Sequence, residues 1–200
     1  MEATSALMNH EGIATILATG GNAMVKAAYS CGKPALGVGA GNVPAYVEKS
    51  ANIRQAAHDI VMSKSFDNGM VCASEQAVII DKEVYDEFVE EFKSYHTYFV
   101  NKKEKALLEE FCFGAKANSK NCAGAKLNPD IVGKPATWIA EQAGFSVPED
   151  TNILAAECKE VGEKEPLTRE KLSPVIAVLK SESREDGVEK ARQMVEFHGL

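Results

Sequence analysis

One stretch limits the possible folds more than any other: IATILATGGNAMVKAAYSCGKPALGVGAGN, residues 13–42. Residues 13–18 form a short, nearly continuous apolar run, the pattern of a strand buried on both faces. Gly20 and Gly21 break it, and Met24, Ala27 and Ala28 then recur at helical spacing over Asn22–Ser30. Gly32 and Pro34 stop that helix. Ala35–Val38 resumes the apolar run, and Gly39, Gly41 and Asn42 end it. Strand, glycine turn, helix, strand is a β-α-β unit, and such units build parallel sheets.

The rest of the chain continues the alternation. Past Ser50, read as an N-cap, Ile53, Ala57, Ile60 and Val61 share one face of an amphipathic helix. The polar segment SFDNGMVCASEQ follows and leads into a strand at 77–80. Residues 82–92 read as a helix, with Val84, Phe88 and Phe92 four residues apart. Between Tyr95 and Asn128 the pattern gives one helix, around 104–111. Pro135 opens and Gly144 closes another helix, following the proline-start and glycine-stop asymmetry. Residues 152–156 and 175–179 read as strands. Residues 185–197 form a last helix with Val188, Ala191 and Val195 turned inward. The expected class is α/β, with a boundary near 46–50 where the glycine-rich unit ends.

Composition narrows the function classes. The formal net charge is −7, with 29 Asp and Glu against 22 Lys and Arg. That balance argues against a nucleic-acid binder, which needs a basic stripe to offset phosphate charge. Apolar residues make up 45% of 200, ordinary for a globular chain that buries roughly 70% of its unfolded surface. The N-terminal residues lack a basic cluster followed by an apolar core. No apolar run approaches the roughly 18–20 residues that span a bilayer, so a cytoplasmic protein without membrane contact is expected. The five cysteines, Cys31, Cys72, Cys112, Cys122 and Cys158, contain no C-x-x-C pair. Neither a disulfide framework nor a metal site is expected from them. His10, His58, His96 and His198 are scattered, which fits solvated positions better than ligation.

Three elements can carry chemistry. The Thr19-Gly20-Gly21 turn follows a buried strand and opens a helix, whose free N–H groups make a phosphate seat. Two adjacent glycines equally suit a tight turn in any α/β protein. The loop Gly37-Val38-Gly39-Ala40-Gly41-Asn42 exposes backbone at a strand's carboxyl end, where open α/β sheets bind ligands, although a flexible turn would look the same. Cys72 has glycine before it and small residues after it, which leave the sulfur accessible. It is the best nucleophile among the five cysteines on local grounds, yet any one of them also suits a small buried hydrophobe. No histidine nearby in sequence would activate it.

Taken together, ATGGNAMVKAAYSCGKPALGVGAGN, SKSFDNGMVCASEQAVI, DIVGKPATWIAEQAGFSVPE and EKLSPV resemble the aldehyde dehydrogenase superfamily. The likeness is strongest to the CoA-acylating half of bifunctional aldehyde–alcohol dehydrogenases. It implies the end of a Rossmann-like cofactor domain over 1–48, followed by an α/β catalytic domain over 49–200. It implies that Cys72 attacks an aldehyde, that the thiohemiacetal passes hydride to NAD⁺, and that the thioester is then resolved by coenzyme A. By the same likeness Gly20 and Gly21 lie beside the dinucleotide phosphates and Gly39 lines the nicotinamide side. Glu170 matches the glutamate that hydrogen-bonds the nicotinamide ribose.

One departure is informative. Hydrolytic members carry Glu-Leu-Gly-Gly-Lys, whose glutamate is the base for the deacylating water. Here Gly37 stands in its place. Without that base, hydrolysis loses a factor of roughly 10²–10⁴ and leaves the acyl group to the thiol of coenzyme A. The resemblance therefore implies interconversion of a small aldehyde, most simply acetaldehyde, with acyl-CoA, as in fermentative alcohol metabolism. A hydrolytic or semialdehyde dehydrogenase is the alternative within the superfamily. An inactive fragment or assembly module is the alternative outside it, because relatives carry a long stretch ahead of the Thr-Gly-Gly turn. The relatives are oligomeric, so a homo-oligomer is expected of a full-length protein.

Overall fold

The computed structural model describes residues 2–114 and 126–198. Helix α1 (Glu2–Asn9) precedes β1 (Ile16–Thr19), α2 (Asn22–Ser30) and β2 (Ala35–Val38). β1 and β2 pair in parallel, Leu17 opposite Leu36 and Thr19 opposite Val38, as the β-α-β pattern requires. α2 packs so closely on β2 that a Cβ at Gly37 would stand 2.6 Å from Val25 Cγ1 and 2.9 Å from the Tyr29 ring. Helices cover one face only. The other exposes Leu17 (79%) and Leu36 (66%) side by side.

A second sheet of five parallel strands has the order β3-β4-β7-β6-β5. Its strands are β3 (Pro44–Val47), β4 (Ala77–Asp81), β5 (Thr97–Phe99), β6 (Ile153–Cys158) and β7 (Val175–Ser181). Period-2 alternation sends Val78, Ile80, Ile176 and Val178 to one face, where α3 (Ile53–Ser65) and α4 (Tyr85–Ser94) bury Ala57, Ile60, Phe88 and Phe92. Ala77, Ile79, Ala177 and Leu179 go to the other face, under α5 (Lys102–Phe113), α6 (Ala136–Ala143) and α7 (Arg184–His198). Central strands buried on both faces explain the unbroken apolar runs at 77–80 and 175–179.

Several local expectations are corrected. Asn52, not Ser50, caps α3, its side chain accepting from Gln55 N. The Ser50 hydroxyl and amide both go to Glu48 instead. α4 starts at Tyr85 rather than residue 82, because Lys82 N still donates to Ser181 O and the chain turns only afterwards. Pro135 is the N-cap of α6 and not its first residue, while Gly144 ends that helix in the left-handed conformation. β3, which opens on Pro44, and the three-residue β5 both escape a sequence reading. Val188 and Val195 of α7 face solvent, Val188 54% exposed. The packing face runs through Gly187, Ala191 and Met194, where a Cβ on Gly187 would lie 2.4 Å from the Tyr46 ring. Missing a side chain, Gly187 lets α7 approach the sheet, and that contact fixes its rotation. Sheet membership changes between Val38 and Pro44, a few residues ahead of the division read from glycine content.

Candidate active site

Three segments meet where the carboxyl end of β2 adjoins the amino ends of β3, β4 and β7. The first is Gly39–Asn42, which runs from β2 to β3. The second is 66–76, which carries Cys72 into β4. The third is 167–173, which carries Glu170 into β7.

Their assembly can be followed bond by bond. The Asn42 side chain donates to Thr168 O (2.9 Å) and Met194 O (3.0 Å). Gln76 N donates to Val43 O at 2.7 Å. The first segment is thereby fixed to both of the others. Asp67, Asn68 and Gly69 adopt left-handed φ values of 49°, 50° and 67° in succession. Two non-glycine residues in that region store strain that the surroundings must impose. The Asn68 side chain donates to Gly133 O at 3.0 Å, and Gly133 N donates to Leu172 O at 3.1 Å. A Cβ on Gly69 would lie 2.5 Å from Ser173 O, so only glycine brings the two segments this close. The Ser74 hydroxyl donates to Gly69 O and closes the loop from inside. Cys72 emerges from this clamped turn exposed, with exposed Val71 and Ala73 beside it. Its sulfur is accessible, as the small residues following it led one to expect. Cys112 and Cys158 are buried, and burial pushes the Cys112 thiol up to about 12 and the Cys158 thiol further. Cys122 lies outside the described residues.

Gly21 caps α2 with no side-chain hydrogen bond, and a Cβ there would meet nothing within 4 Å. Gly20 N donates to Val38 O, and a Cβ on Gly39 would lie 3.4 Å from Asn22 Oδ1. Gly20, Gly21 and Gly39 are thus neighbours at the uncapped N-terminus of a nine-residue helix. Open backbone and a helix dipole together fit an anionic group such as a phosphate. Glu170 is half-buried, and burial raises its carboxyl against the opposing pull of Lys171 and Lys64.

Sequence reading missed two buried lysines that meet at Gln76. Lys64, in the last turn of α3, is fully buried with Nζ 3.4 Å from Gln76 Oε1. It continues the inward face of Ile53, Ala57, Ile60 and Val61, which was the available signal. Burial holds its ammonium well below the ordinary lysine range. Lys171, next to Glu170, is also fully buried, and burial brings it down to about 7. Its Nζ donates to Gln76 O (3.0 Å), Leu167 O (2.6 Å) and Arg169 O (2.7 Å). Three acceptors match the three protons of an ammonium, which offsets part of the desolvation. Among the described residues no cluster of His, Cys, Asp and Glu could hold a metal ion, and no helix is long and apolar enough to cross a membrane.

Comparison with known proteins fits this geometry. The sequence model of the aldehyde dehydrogenase family matches residues 1–194. The chain is 94% identical over 200 residues to an aldehyde-alcohol dehydrogenase of Streptococcus pneumoniae, covering all of this chain and 23% of that protein. It superposes on an acetylating aldehyde dehydrogenase from Geobacillus thermoglucosidasius with a TM-score of 0.90 at 44% identity, covering 100% of this chain and 42% of the other. A propionaldehyde dehydrogenase from Rhodopseudomonas palustris, solved with bound CoA and an acylated cysteine, matches with a TM-score of 0.82 at 31% identity over 97% of this chain and 42% of that one. The chain therefore spans about a quarter of the curated aldehyde-alcohol dehydrogenase it matches, and it belongs to the aldehyde dehydrogenase family.

Proposed function

We propose that this chain is the catalytic core of a CoA-acylating aldehyde dehydrogenase, with Cys72 as its nucleophile. The observation that carries the reading is the exposed Cys72 on a strained loop clamped against the segment of Glu170. The Cys72 thiolate adds to the aldehyde carbonyl, forming a C–S bond and an alkoxide. A bound nicotinamide dinucleotide supplies the hydride acceptor for the oxidation of that adduct. The thiol of coenzyme A, losing its proton, then attacks the Cys72 thioester, and the Cys72 thiolate leaves as acyl-CoA forms. Each step is reversible, so the same residues serve acyl-CoA reduction. Gly20, Gly21 and Gly39 would hold the cofactor's phosphates and nicotinamide side, and Glu170 its ribose.

The packing at Gly37 supports acyl transfer to a thiol over hydrolysis. A carboxylate side chain there would run into Val25 and Tyr29 of α2, so the hydrolytic base has no room on this backbone. NAD⁺ as the preferred dinucleotide, acetaldehyde as the aldehyde, a cytoplasmic setting and a homo-oligomer in a longer protein complete the proposal. Residues 1–48 are assigned to the end of a dinucleotide-binding domain and 49–200 to the catalytic domain, with β3 as the strand on which they meet.

The reading is tested by giving a protein of the relatives' length acetaldehyde, NAD⁺ and coenzyme A. Acetyl-CoA and NADH should form together, and Cys72→Ala should abolish both. Undiminished activity in Cys72→Ala overturns the nucleophile, and free acid formed without coenzyme A overturns the acylating reading. The bare face at Leu17 and Leu36 favours a second reading for the 200-residue chain alone, as an assembly module that binds cofactor poorly. Calorimetry on that chain separates the two, since micromolar NAD⁺ binding contradicts the module.

A further inference from the structure

The mechanism above uses Cys72 and Glu170 but leaves unexplained how two separate loops are held in register. Both are irregular, and both carry left-handed non-glycine residues: Asp67 and Asn68 in one, Leu172 in the other. Each loop leads into a neighbouring strand, since β4 pairs with β7 from Ala77 opposite Ala177 onward. Strand bonding reaches back only as far as Gln76 O, which accepts from Ala177 N at 3.1 Å. Ahead of that point Lys171 and Gln76 add buried side-chain links to the Asn68–Gly133–Leu172 bonds and the close approach of Gly69 to Ser173. Lys171 Nζ spans Gln76 O on the cysteine side and Leu167 O and Arg169 O on the glutamate side. Lys171 N donates to Gln76 Oε1 at 3.0 Å, and Gln76 Nε2 donates to Ser74 O at 3.2 Å, two residues from Cys72. Lys64 reaches the same Gln76 Oε1 from α3. Gln76 is therefore held from both sides, and every link is buried.

We infer that Lys171, acting through Gln76, is the positioning residue that couples the Cys72 loop to the Glu170 segment, so that nucleophile and cofactor-ribose contact are set by one buried brace. This rests on the proposed function for its catalytic meaning. The brace itself is a property of the fold. The arrangement differs from a salt bridge, because all three of the Nζ partners are backbone carbonyls. Removing the ammonium takes the donor from Leu167 O and Arg169 O and leaves Gln76 O with Ala177 N alone, so the side-chain link from Gln76 O to residues 167 and 169 is lost. A methionine keeps the aliphatic stem and the backbone N–H bond to Gln76 Oε1 while deleting the three Nζ donors, so Lys171→Met isolates the Nζ tie from the packing.

Two measurements decide it. The first is hydrogen exchange on the 200-residue chain, which needs no turnover. In Lys171→Met the amides of Met70, Ser74 and Gln76 and those of Thr168 and Arg169 should exchange together at least tenfold faster, while α4 and β5 stay unchanged. A variant matched in overall stability but altered elsewhere, Leu108→Ala, should not reproduce that pattern. If Lys171→Met does not fold, the wild-type chain in rising denaturant still answers: the two groups of amides should open at one common midpoint. Separate midpoints, or acceleration confined to one loop, overturn the brace. The second measurement is a double-mutant cycle in a protein of the relatives' length. Lys171→Met should lower kcat and raise the cofactor KM roughly ten- to hundredfold. Glu170→Gln should raise the cofactor KM alone. In the double variant the KM effect of Lys171→Met should largely vanish, and fully multiplicative effects overturn the coupling. A wild-type protein without aldehyde activity would defeat the proposed function, and the exchange result would still decide the brace.

Discussion

Two lysines are withdrawn from solvent at opposite ends of the five-stranded sheet, and they are stabilised in different ways. Lys171, at the amino end of β7, is surrounded by carbonyls of three different residues. Lys105, on α5 near the carboxyl end of β6, bonds Glu157 O at 2.7 Å, pairs with Glu165 and has Glu109 at 3.8 Å. Burial lowers the Lys171 ammonium to about 7, whereas Cys158 and the carboxylates of Glu165 and Glu109 hold Lys105 above the ordinary lysine range against desolvation. Carbonyl partners cannot take up a proton, so they turn Lys171 into a tie between chain segments. Carboxylate partners can, and the Lys105 cluster becomes a titrating unit instead. Burial pushes the Glu109 carboxyl up to about 7, with Glu165 adding to the rise and Lys105 opposing it. The end that carries Cys72 is thus held by geometry, and the far end by charge.

The largest effect should come from breaking the geometric end. Gly69→Ala places a Cβ 2.5 Å from Ser173 O at a φ of 67°. It should destabilise by about 3 kcal/mol or more in denaturant unfolding. Gly114→Ala is the control, since its φ of 64° is similar but nothing lies within 4 Å, and about 1 kcal/mol is expected. Next come the two lysines. Lys171→Met should cost about 2–3 kcal/mol, because buried Leu167 O and Arg169 O lose their donor and Gln76 O loses one of two. Lys105→Met should cost about 1 kcal/mol, because Glu109 and Glu165 can each accept a proton; equal losses at the two sites would erase the contrast drawn between them.

The pH dependence sharpens the same contrast. Glu109 binds its proton more tightly in the native state than when unfolded. Its stabilisation is fully present below about pH 4.5 and is lost as pH rises to about 7. Wild type should therefore lose about 2 kcal/mol across that window relative to Glu109→Gln, read as the difference between two unfolding curves. Parallel curves would mean that the carboxyl does not titrate there. The smallest effect belongs to the exposed Lys82–Glu182 pair, 3.2 Å apart, where Lys82→Ala should change stability by less than about 0.5 kcal/mol.

How much of the site was legible depended on whether a residue's job is local. Cys72, Gly20 and Gly21 announce themselves through neighbours in sequence: small residues, a preceding strand, a following helix. Gly39 stood out locally as part of a glycine-rich loop at a strand's carboxyl end, and Glu170 entered only through the resemblance of EKLSPV to a family motif. Gly37 was read as an absent base. The packing adds that α2 fills the space a side chain would need. Lys171 stood inside a quoted motif and still went unnoticed, because a lysine in sequence looks like a solvated charge. Its partners lie at 76, 167 and 169, and only the fold brings them to one nitrogen.

By itself the sequence determined the alternation of strands and helices and the parallel class. Those follow from periodicity, turn residues and nearest neighbours, which act over a few residues. Tertiary structure alone decided which face of α7 packs, which asparagine caps α3, and how the Cys72 loop is tied to the Glu170 segment. Each of those depends on groups far apart in the chain, such as Gly187 against Tyr46 or Gly69 against Ser173, and close approach between distant segments leaves no periodic trace.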